Sequence, residues 1–190
     1  MKAKKLSVCQ EIKLLRQLKN CKIISNGSSR LVVIDPRDSK KVVKIAVGAW
    51  SFRQNKFEVG LWNLLNDERL ATIYEYGRFV IVMERMDETF DDDTIMNSGF
   101  DEEVVNEASK IAYWLNMRLG ETADNWQLGL VNGKWKSYDY GFDPEADSGF
   151  QCGSASYVNG RNFKRFVNEA IALLRNKRPI TEIEAWINEI

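Results

Sequence analysis

Residues 124–143 read DNWQLGLVNGKWKSYDYGFD, and they are the most informative segment of the chain. Two short runs of alternating side chains, Gln127–Val131 and Lys134–Tyr140, are joined by Asn132-Gly133. Asn-Gly favours a type I′ turn, because that turn needs positive φ angles at both central residues. The segment therefore predicts a β-hairpin.

Polar residues stand at both ends of this hairpin, Asp124 and Asn125 before it and Asp139 near its end. A hairpin brings its two ends together, and a carboxylate and an amide placed there can share a divalent cation. Asp and Asn are also ordinary turn residues, because their side chains hydrogen-bond to the nearby backbone. Taken alone, the segment leaves a metal site and a plain surface hairpin open.

The first 86 residues predict a helix, three strands, a second helix and two further strands. The helices follow from apolar residues spaced three and four apart, and the strands from short runs rich in β-branched residues. A turn of small residues, Gly27, Ser28 and Ser29, separates the first two strands. The predicted elements are helix 7–20, strands 22–24, 31–35 and 41–47, helix 52–65, and strands 70–76 and 78–85.

Two charged residues in this part stand next to apolar positions. Lys44 lies between Val43 and Ile45 in the third strand, so its ammonium needs either a partner or a path to solvent. Glu58 lies in the second helix, beside a predicted apolar face that includes Leu64. A strand lysine and a helix glutamate are therefore candidates for an ion pair.

The second half of the chain begins with the acidic segment Met86–Asp93, which we interpret as a solvated linker. A long amphipathic helix is predicted over residues 101–119, and the hairpin follows it. After Asp143 the sequence is rich in Ser, Gly and Asp and predicts a loop. Two final helices are predicted, one from Phe163 and one from Thr181.

The composition excludes several kinds of protein. The 27 basic and 27 acidic residues balance, so no overall field favours nucleic acid, and we read the six tryptophans as packing residues. The chain has no histidine, which removes imidazole bases and histidine zinc sites. Three cysteines and the lack of a long apolar run predict a cytoplasmic protein without a disulfide framework or a membrane partner.

The order of these motifs resembles the protein-kinase-like fold over about residues 22–142. The resemblance is closest to the small serine/threonine kinases of lytic bacteriophages, and it lies in VVKIA around Lys44, the helix with Glu58, and NWQLGLVNGKWKSYDYGF. It implies an α+β fold of two lobes. Residues 1–86 would form an N-lobe with a five-stranded antiparallel sheet, and residues 87–190 a reduced, mainly helical C-lobe carrying the hairpin at 124–143.

The resemblance also implies a role for each matching residue, with ATP and Mg²⁺ as cofactors. Lys44 would contact the α- and β-phosphates and pair with Glu58, and Asn125 and Asp139 would hold the metal ion. The remaining implied contacts are the turn Gly27, Ser28 and Ser29 over the phosphates, and Glu84 to Met86 beside the adenine.

One departure from the kinase pattern concerns catalysis. The catalytic-loop aspartate belongs five residues before Asn125, and Gly120 stands there, so only Glu121 or Asp124 is left to orient the acceptor. This pattern favours a pseudokinase acting through a protein partner, in a host cytoplasm if the chain is phage-encoded. An active kinase for protein or small molecules and an unrelated binding protein are the alternatives, and nothing indicates the oligomeric state.

Overall fold

The computed structural model describes residues 1–26, 30–90, 102–119, 127–140, 158, 162–179 and 182. Within these residues it contains nine strands and four helices. They are β1 Lys4–Lys5, α1 Val8–Leu18, β2 Ile23–Asn26, β3 Arg30–Ile34, β4 Lys41–Ala46, α2 Ala49–Leu65, β5 Ile73–Tyr76, β6 Val80–Glu84, β7 Glu88–Phe90, α3 Glu102–Leu119, β8 Leu128–Val131, β9 Lys134–Ser137 and α4 Phe163–Asn176. The predicted α+β class is confirmed.

The main sheet has six strands in the order β1-β5-β6-β4-β3-β2. Five of them pair antiparallel, as predicted, and β1 adds to the edge in parallel with β5. The predicted count of five was wrong because β1 is only two residues long and shows no side-chain period. Backbone hydrogen bonds hold this edge, such as the one from Leu6 N to Tyr76 O at 2.7 Å.

The two faces of this sheet are buried against different partners. One face carries Leu31, Val33, Val43 and Val82, which share a core with residues of α1 and α4. The alternate residues of the same strands, such as Val42, Lys44 and Ile81, point to the other face, because successive strand side chains alternate. There α2, α3 and the hairpin supply Trp62, Ile111, Leu115, Leu128 and Tyr140.

Helices α1 and α4 pack against each other over the first face of the sheet. Their contact brings a helix from within residues 87–190 onto the sheet formed by the first 86. The division into lobes at residue 86 stays a prediction. In the described part of the chain, none of the helices is sufficiently long and apolar to cross a bilayer.

Helix α2 begins three residues earlier than predicted. The Ser51 hydroxyl accepts hydrogen bonds from Val47 N and Gly48 N, both at 2.9 Å, and so satisfies backbone donors at the start of the helix. The prediction that Leu64 belongs to the apolar face was wrong, since Leu64 is 79% exposed. Helix α2 packs against β4, β5 and β6 with that residue in solvent.

The hairpin is confirmed, with β8 and β9 joined at Asn132-Gly133. The φ angles of these two residues are 50° and 73°, as a type I′ turn requires. A third strand, β7, pairs with β8 and makes a second sheet. Residues 88–90 of the predicted acidic linker are therefore a strand, and its last residues, 91–93, lie outside the described part.

Candidate functional site

The candidate site forms where the second face of the main sheet meets α2 and the end of the hairpin. Lys44 on β4 donates from Nζ to Oε1 of Glu58 on α2 at 3.0 Å. Lys44 is 5% exposed and Glu58 is fully buried. The structure therefore brings together the strand lysine and the helix glutamate of the sequence motif, while their role in ATP binding stays a prediction.

The hairpin places Asp139 beside the same lysine. Lys44 Nζ lies 3.4 Å from Asp139 Oδ1 and donates to the Tyr138 carbonyl at 2.6 Å. Backbone bonds fix this end of the hairpin, because Ser137 N donates to Arg69 O and Ala71 N to Ser137 O, both at 2.8 Å. Asp139 therefore follows closely on Ser137, which backbone hydrogen bonds fix to Arg69 and Ala71.

Arg30, the first residue of β3, completes the cluster and was missed by the sequence analysis. Its Nη1 pairs with Glu58 Oε2 and its Nη2 with Asp139 Oδ1, so one guanidinium bridges both carboxylates. Arg30 is only 4% exposed. The available signal was the strand period, since Val32 lies opposite Lys44 and Arg30 is two residues before Val32, on the same face.

Asn55 of α2 supports the arginine from a further side. Its Oδ1 accepts from Arg30 Nη1 at 3.4 Å, and its Nδ2 donates to Phe79 O at 3.4 Å. The amide therefore links the guanidinium to the backbone just before β6. Long, buried cations need such additional partners to hold one conformation.

The charges of Arg30, Lys44, Glu58 and Asp139 sum to zero. Burial by itself would raise the pKa of Asp139, but the Arg30 guanidinium and the Lys44 ammonium outweigh it and hold that pKa below its ordinary value. Burial would lower the pKa of Arg30, and Asp139 and Glu58 raise it instead. Asp139 and Arg30 are therefore in their charged forms near neutral pH.

Tyr140 anchors the segment that follows Asp139. Its hydroxyl donates to the Ala71 carbonyl at 2.8 Å, and the side chain is 2% exposed. Burial, reinforced by the nearby Glu58 carboxylate, raises the pKa of Tyr140 well above its ordinary value. The phenol stays protonated and acts as a hydrogen-bond donor that fixes the hairpin to the start of β5.

Glu84 and Met86, the residues predicted to lie beside adenine, are both in protein contacts. Glu84 Oε2 accepts from Lys136 Nζ at 2.7 Å and from Thr72 N at 3.1 Å. Met86 is 8% exposed and packs over Gly129, where a Cβ would come within 2.8 Å of its sulfur. The strand therefore needs glycine at 129, and a role in adenine binding stays a prediction for both residues.

The other predicted site residues, Gly27, Ser28, Ser29, Glu121, Asp124 and Asn125, lie outside the described residues. Within the described part, no three Asp, Glu, Cys or His side chains cluster as a metal site would require. Asp139 already contacts two cations, Arg30 and Lys44. A Mg²⁺ ion on the Asp139 oxygen that both cations contact would have to displace one of them.

Comparisons with known proteins give structural neighbours only. The sequence matches no family model and no curated protein. A co-crystal structure of the pseudokinase DRIK1 (drought responsive inactive kinase 1) bound to ENMD-2076 is 14% identical with a TM-score of 0.48, covering 98% of this chain and 96% of that chain. A second pseudokinase, in its apo form, is 13% identical with a TM-score of 0.47, covering 98% and 93%. Both TM-scores lie under one half, so neither structure carries a conclusion about this chain.

Proposed function

We propose that this chain is a kinase-like protein that does not transfer phosphate and that acts by binding a protein partner. The observation that carries the proposal is the position of Arg30, whose guanidinium bridges Glu58 and Asp139. A kinase-type site uses the equivalent aspartate to hold a metal ion on the phosphates of ATP. Here that carboxylate is paired within the protein.

The energetics of a buried ion pair favour this reading. Arginine is always charged, so the pair cannot be released by deprotonation of the guanidinium. Removing one partner from a buried pair leaves the other charge uncompensated, which costs about 3–5 kcal/mol. Magnesium binding at the shared oxygen of Asp139 would have to offset a cost of that kind.

The catalytic loop supports the same proposal from the sequence. Gly120 occupies the position of the aspartate that orients the acceptor hydroxyl, and the chain offers no histidine in that loop. Phosphoryl transfer depends on placing the nucleophile, the metal and the phosphates together. A site with a paired metal aspartate and a glycine in place of the base would lose two of those elements.

A second candidate is a protein that binds Mg-ATP, with or without phosphotransfer to serine, threonine or a small molecule. It is favoured by the 3.0 Å contact between Lys44 and Glu58, which is the pair that positions ATP phosphates in kinases. In that case Asn125 and Asp139 would hold magnesium, and Glu121 or Asp124 would orient the acceptor. A cytoplasmic partner, in a phage host if the chain is phage-encoded, is common to both proposals.

Calorimetric titration of ATP, with and without Mg²⁺, separates the two candidates. We expect no magnesium-dependent binding to the wild-type protein, and a gain of such binding in Arg30→Gln, which releases Asp139. Lys134→Gln is the matched control, because Lys134 is 70% exposed and pairs with Glu68, which does not belong to the cluster. A stoichiometric protein partner in affinity purification would support the non-catalytic role.

Magnesium-dependent ATP binding to the wild-type protein that Asp139→Asn abolishes would overturn the first candidate. Transfer of γ-phosphate label to protein by the wild type, lost in the same variant, would establish the second. Should Arg30→Gln fail to fold, the comparison of wild type with Asp139→Asn still decides between them.

A further inference from the structure

A cavity of about 880 Å³ lies on the side of α2 away from Glu58. Its walls come from β1, α1, α2, the turn between β5 and β6, and the end of α4. At 3.6 residues per turn, the α2 positions that line it, such as Phe52, Lys56 and Val59, share one helical face, and Glu58 points about 100–160° away from them. The cavity lies beside the charge cluster and adjoins it at Asn55, which lines the cavity and accepts a hydrogen bond from Arg30. Its size falls in the range of small-molecule sites.

The walls of this cavity are largely apolar. Leu6, Phe52, Val59, Ile81 and Leu174 line it, and all five are buried among the hydrophobic residues of the protein. Because these side chains already belong to the two cores, they form a firm surface that does not depend on a ligand for its shape. An apolar group of a ligand would gain free energy from leaving water at this surface.

Basic side chains from four different elements surround the same cavity. They are Lys5 of β1, Arg53 and Lys56 of α2, Arg78 of the β5–β6 turn, and Lys177 just after α4. In the described part of the chain, Lys5, Arg53, Lys56 and Lys177 form no salt bridge. Cations that converge from separate elements without carboxylate partners produce a positive potential at the opening.

Among the described residues that line the cavity, Glu11 is the one acid, and its carboxylate is turned into the protein. It is 2% exposed and accepts a hydrogen bond from Phe79 N at 2.6 Å. Gly77 packs directly on the same carboxyl group, since a Cβ there would lie 2.3 Å from its carbon. The acid is thus committed to the β5–β6 turn, where it interacts with Arg78, and in the described part of the chain it forms no salt bridge with the other basic residues at the opening.

We infer that this cavity binds an amphipathic organic anion, with its apolar body against the walls and its anionic head among the basic residues at the opening. Apolar lining with a few convergent charged groups is the usual design of a small-molecule site. A ligand in this cavity would not occupy the predicted phosphate site, because Glu58, Lys44 and Asp139 do not line the cavity. The inference that the cavity binds a ligand does not depend on the kinase-like proposal.

Decanoate is a suitable probe, with decanol as the neutral analogue and acetate as the head group alone. We expect decanoate to shift the backbone amide resonances of Gly60 and Gly77, which line the cavity, in a saturable titration. Decanol and acetate should bind at least several-fold more weakly, and added salt should weaken decanoate binding because the rim is exposed. All of these titrations use the wild-type protein.

The double variant Arg53→Gln, Lys56→Gln tests the basic rim. Its two side chains are exposed, so the fold is expected to survive, and decanoate affinity should fall about fivefold, the scale expected for losing exposed charge interactions. Lys110→Gln is the matched control, since that lysine is 61% exposed on α3, and this variant should bind decanoate as the wild type does.

Unmoved Gly60 and Gly77 resonances up to about 1 mM decanoate would overturn the inference. The inference would also be overturned if decanol bound as tightly as decanoate, or if the folded double variant bound decanoate as tightly as the wild type.

Discussion

The two sides of α2 use charge in opposite ways. Toward the sheet, Glu58 belongs to a cluster in which two cations and two carboxylates are paired, and three of the four side chains are nearly inaccessible to solvent. Toward the cavity, Arg53 and Lys56 are exposed and form no salt bridge in the described part. Paired buried charges fix a geometry, whereas unpaired exposed charges are available to a ligand. The difference separates a structural use of charge from a binding use.

Arg30→Met should have the largest effect, because it breaks the cluster. Glu58 and Asp139 would then share Lys44 as their one cationic partner in the cluster, and the free energy of unfolding should fall by about 3–5 kcal/mol. Urea unfolding of wild type and variant measures the change. The exposed pair between Lys134 and Glu68 gives the control, since Lys134→Met should cost under about 1 kcal/mol.

A loss in Arg30→Met no larger than in Lys134→Met would show that the cluster is not a stabilising unit. The double variant Arg30→Met, Asp139→Asn refines the test. Residues in one ion-pair network are not additive, so the double variant should be less destabilised than the sum of the two single changes.

Gly77→Ala should have an intermediate effect, on the cavity side. The new Cβ would lie 2.3–2.6 Å from the Glu11 carboxyl group, so the buried Glu11 side chain or the β5–β6 turn has to move, and the hydrogen bond from Phe79 N to Glu11 is disturbed. Forced overpacking of this kind costs about 1–3 kcal/mol. Gly60 offers the control within α2, where nothing lies within 4 Å of an added Cβ, and Gly60→Ala should stabilise by up to about 1 kcal/mol through helix propensity. Thermal unfolding of both variants measures the difference, and equal stabilities would mean that Glu11 does not pack as described.

The smallest effect concerns the pH dependence of two carboxylates, the buried Glu11 and the half-buried Asp139. The pKa of Asp139 is lowered by Arg30 and Lys44 against the opposing effect of burial, so its contribution to stability is fully present above the unfolded pKa of about 3.9. That contribution is lost as the pH falls through the folded pKa. The stability of Asp139→Asn should therefore fall less steeply in acid than that of the wild type.

Glu11 should behave in the opposite way. Burial raises the pKa of Glu11 despite hydrogen bonds from Arg78, Phe79 and Val80, so its favourable contribution is present below the unfolded pKa and is lost as the pH rises through the folded pKa. Glu11→Gln should then lose stability more steeply than the wild type on acidification. Urea unfolding between about pH 7 and pH 3 measures both slopes, because the Glu11 effect falls above its ordinary pKa and the Asp139 effect below its own. Relative to the wild type, slopes that change in the same direction in both variants would contradict the contrast.

The sequence predicted the parts of the fold that have a clear local signal. The hairpin followed from Asn132-Gly133, and the order of strands and helices in the first 86 residues followed from their periods. Strand β1 was missed because two edge residues carry no period. Strand β7 was missed because its residues Glu88 and Thr89 are polar and exposed on an edge strand, and they stand in an acidic segment that resembles a solvated linker. Both errors concern strands that are specified by backbone pairing.

The candidate site was also predictable only where its residues have a clear local signal in the sequence. Lys44 and Glu58 stand out because a charge beside apolar residues needs a partner, and Asp139 stands out at the end of a hairpin. Arg30 was missed because the predicted strand began one residue too late, which left the arginine in a turn. The cavity had no local signal at all, because its lining residues come from five separate segments that only the tertiary structure brings together.

The packing of α1 on α4 has a consequence for the order in which the protein matures. Helix α1 ends at Leu18 and α4 begins at Phe163, so an emerging chain makes one partner long before the other. Until α4 has been synthesised, the sheet face with Leu31, Val43 and Val82 lacks part of its cover. Closing so long a loop is slow, and incomplete chains that expose apolar surface are prone to aggregate. Completion of the fold, and with it closure of the cavity wall at Leu174, therefore waits for a late event in synthesis.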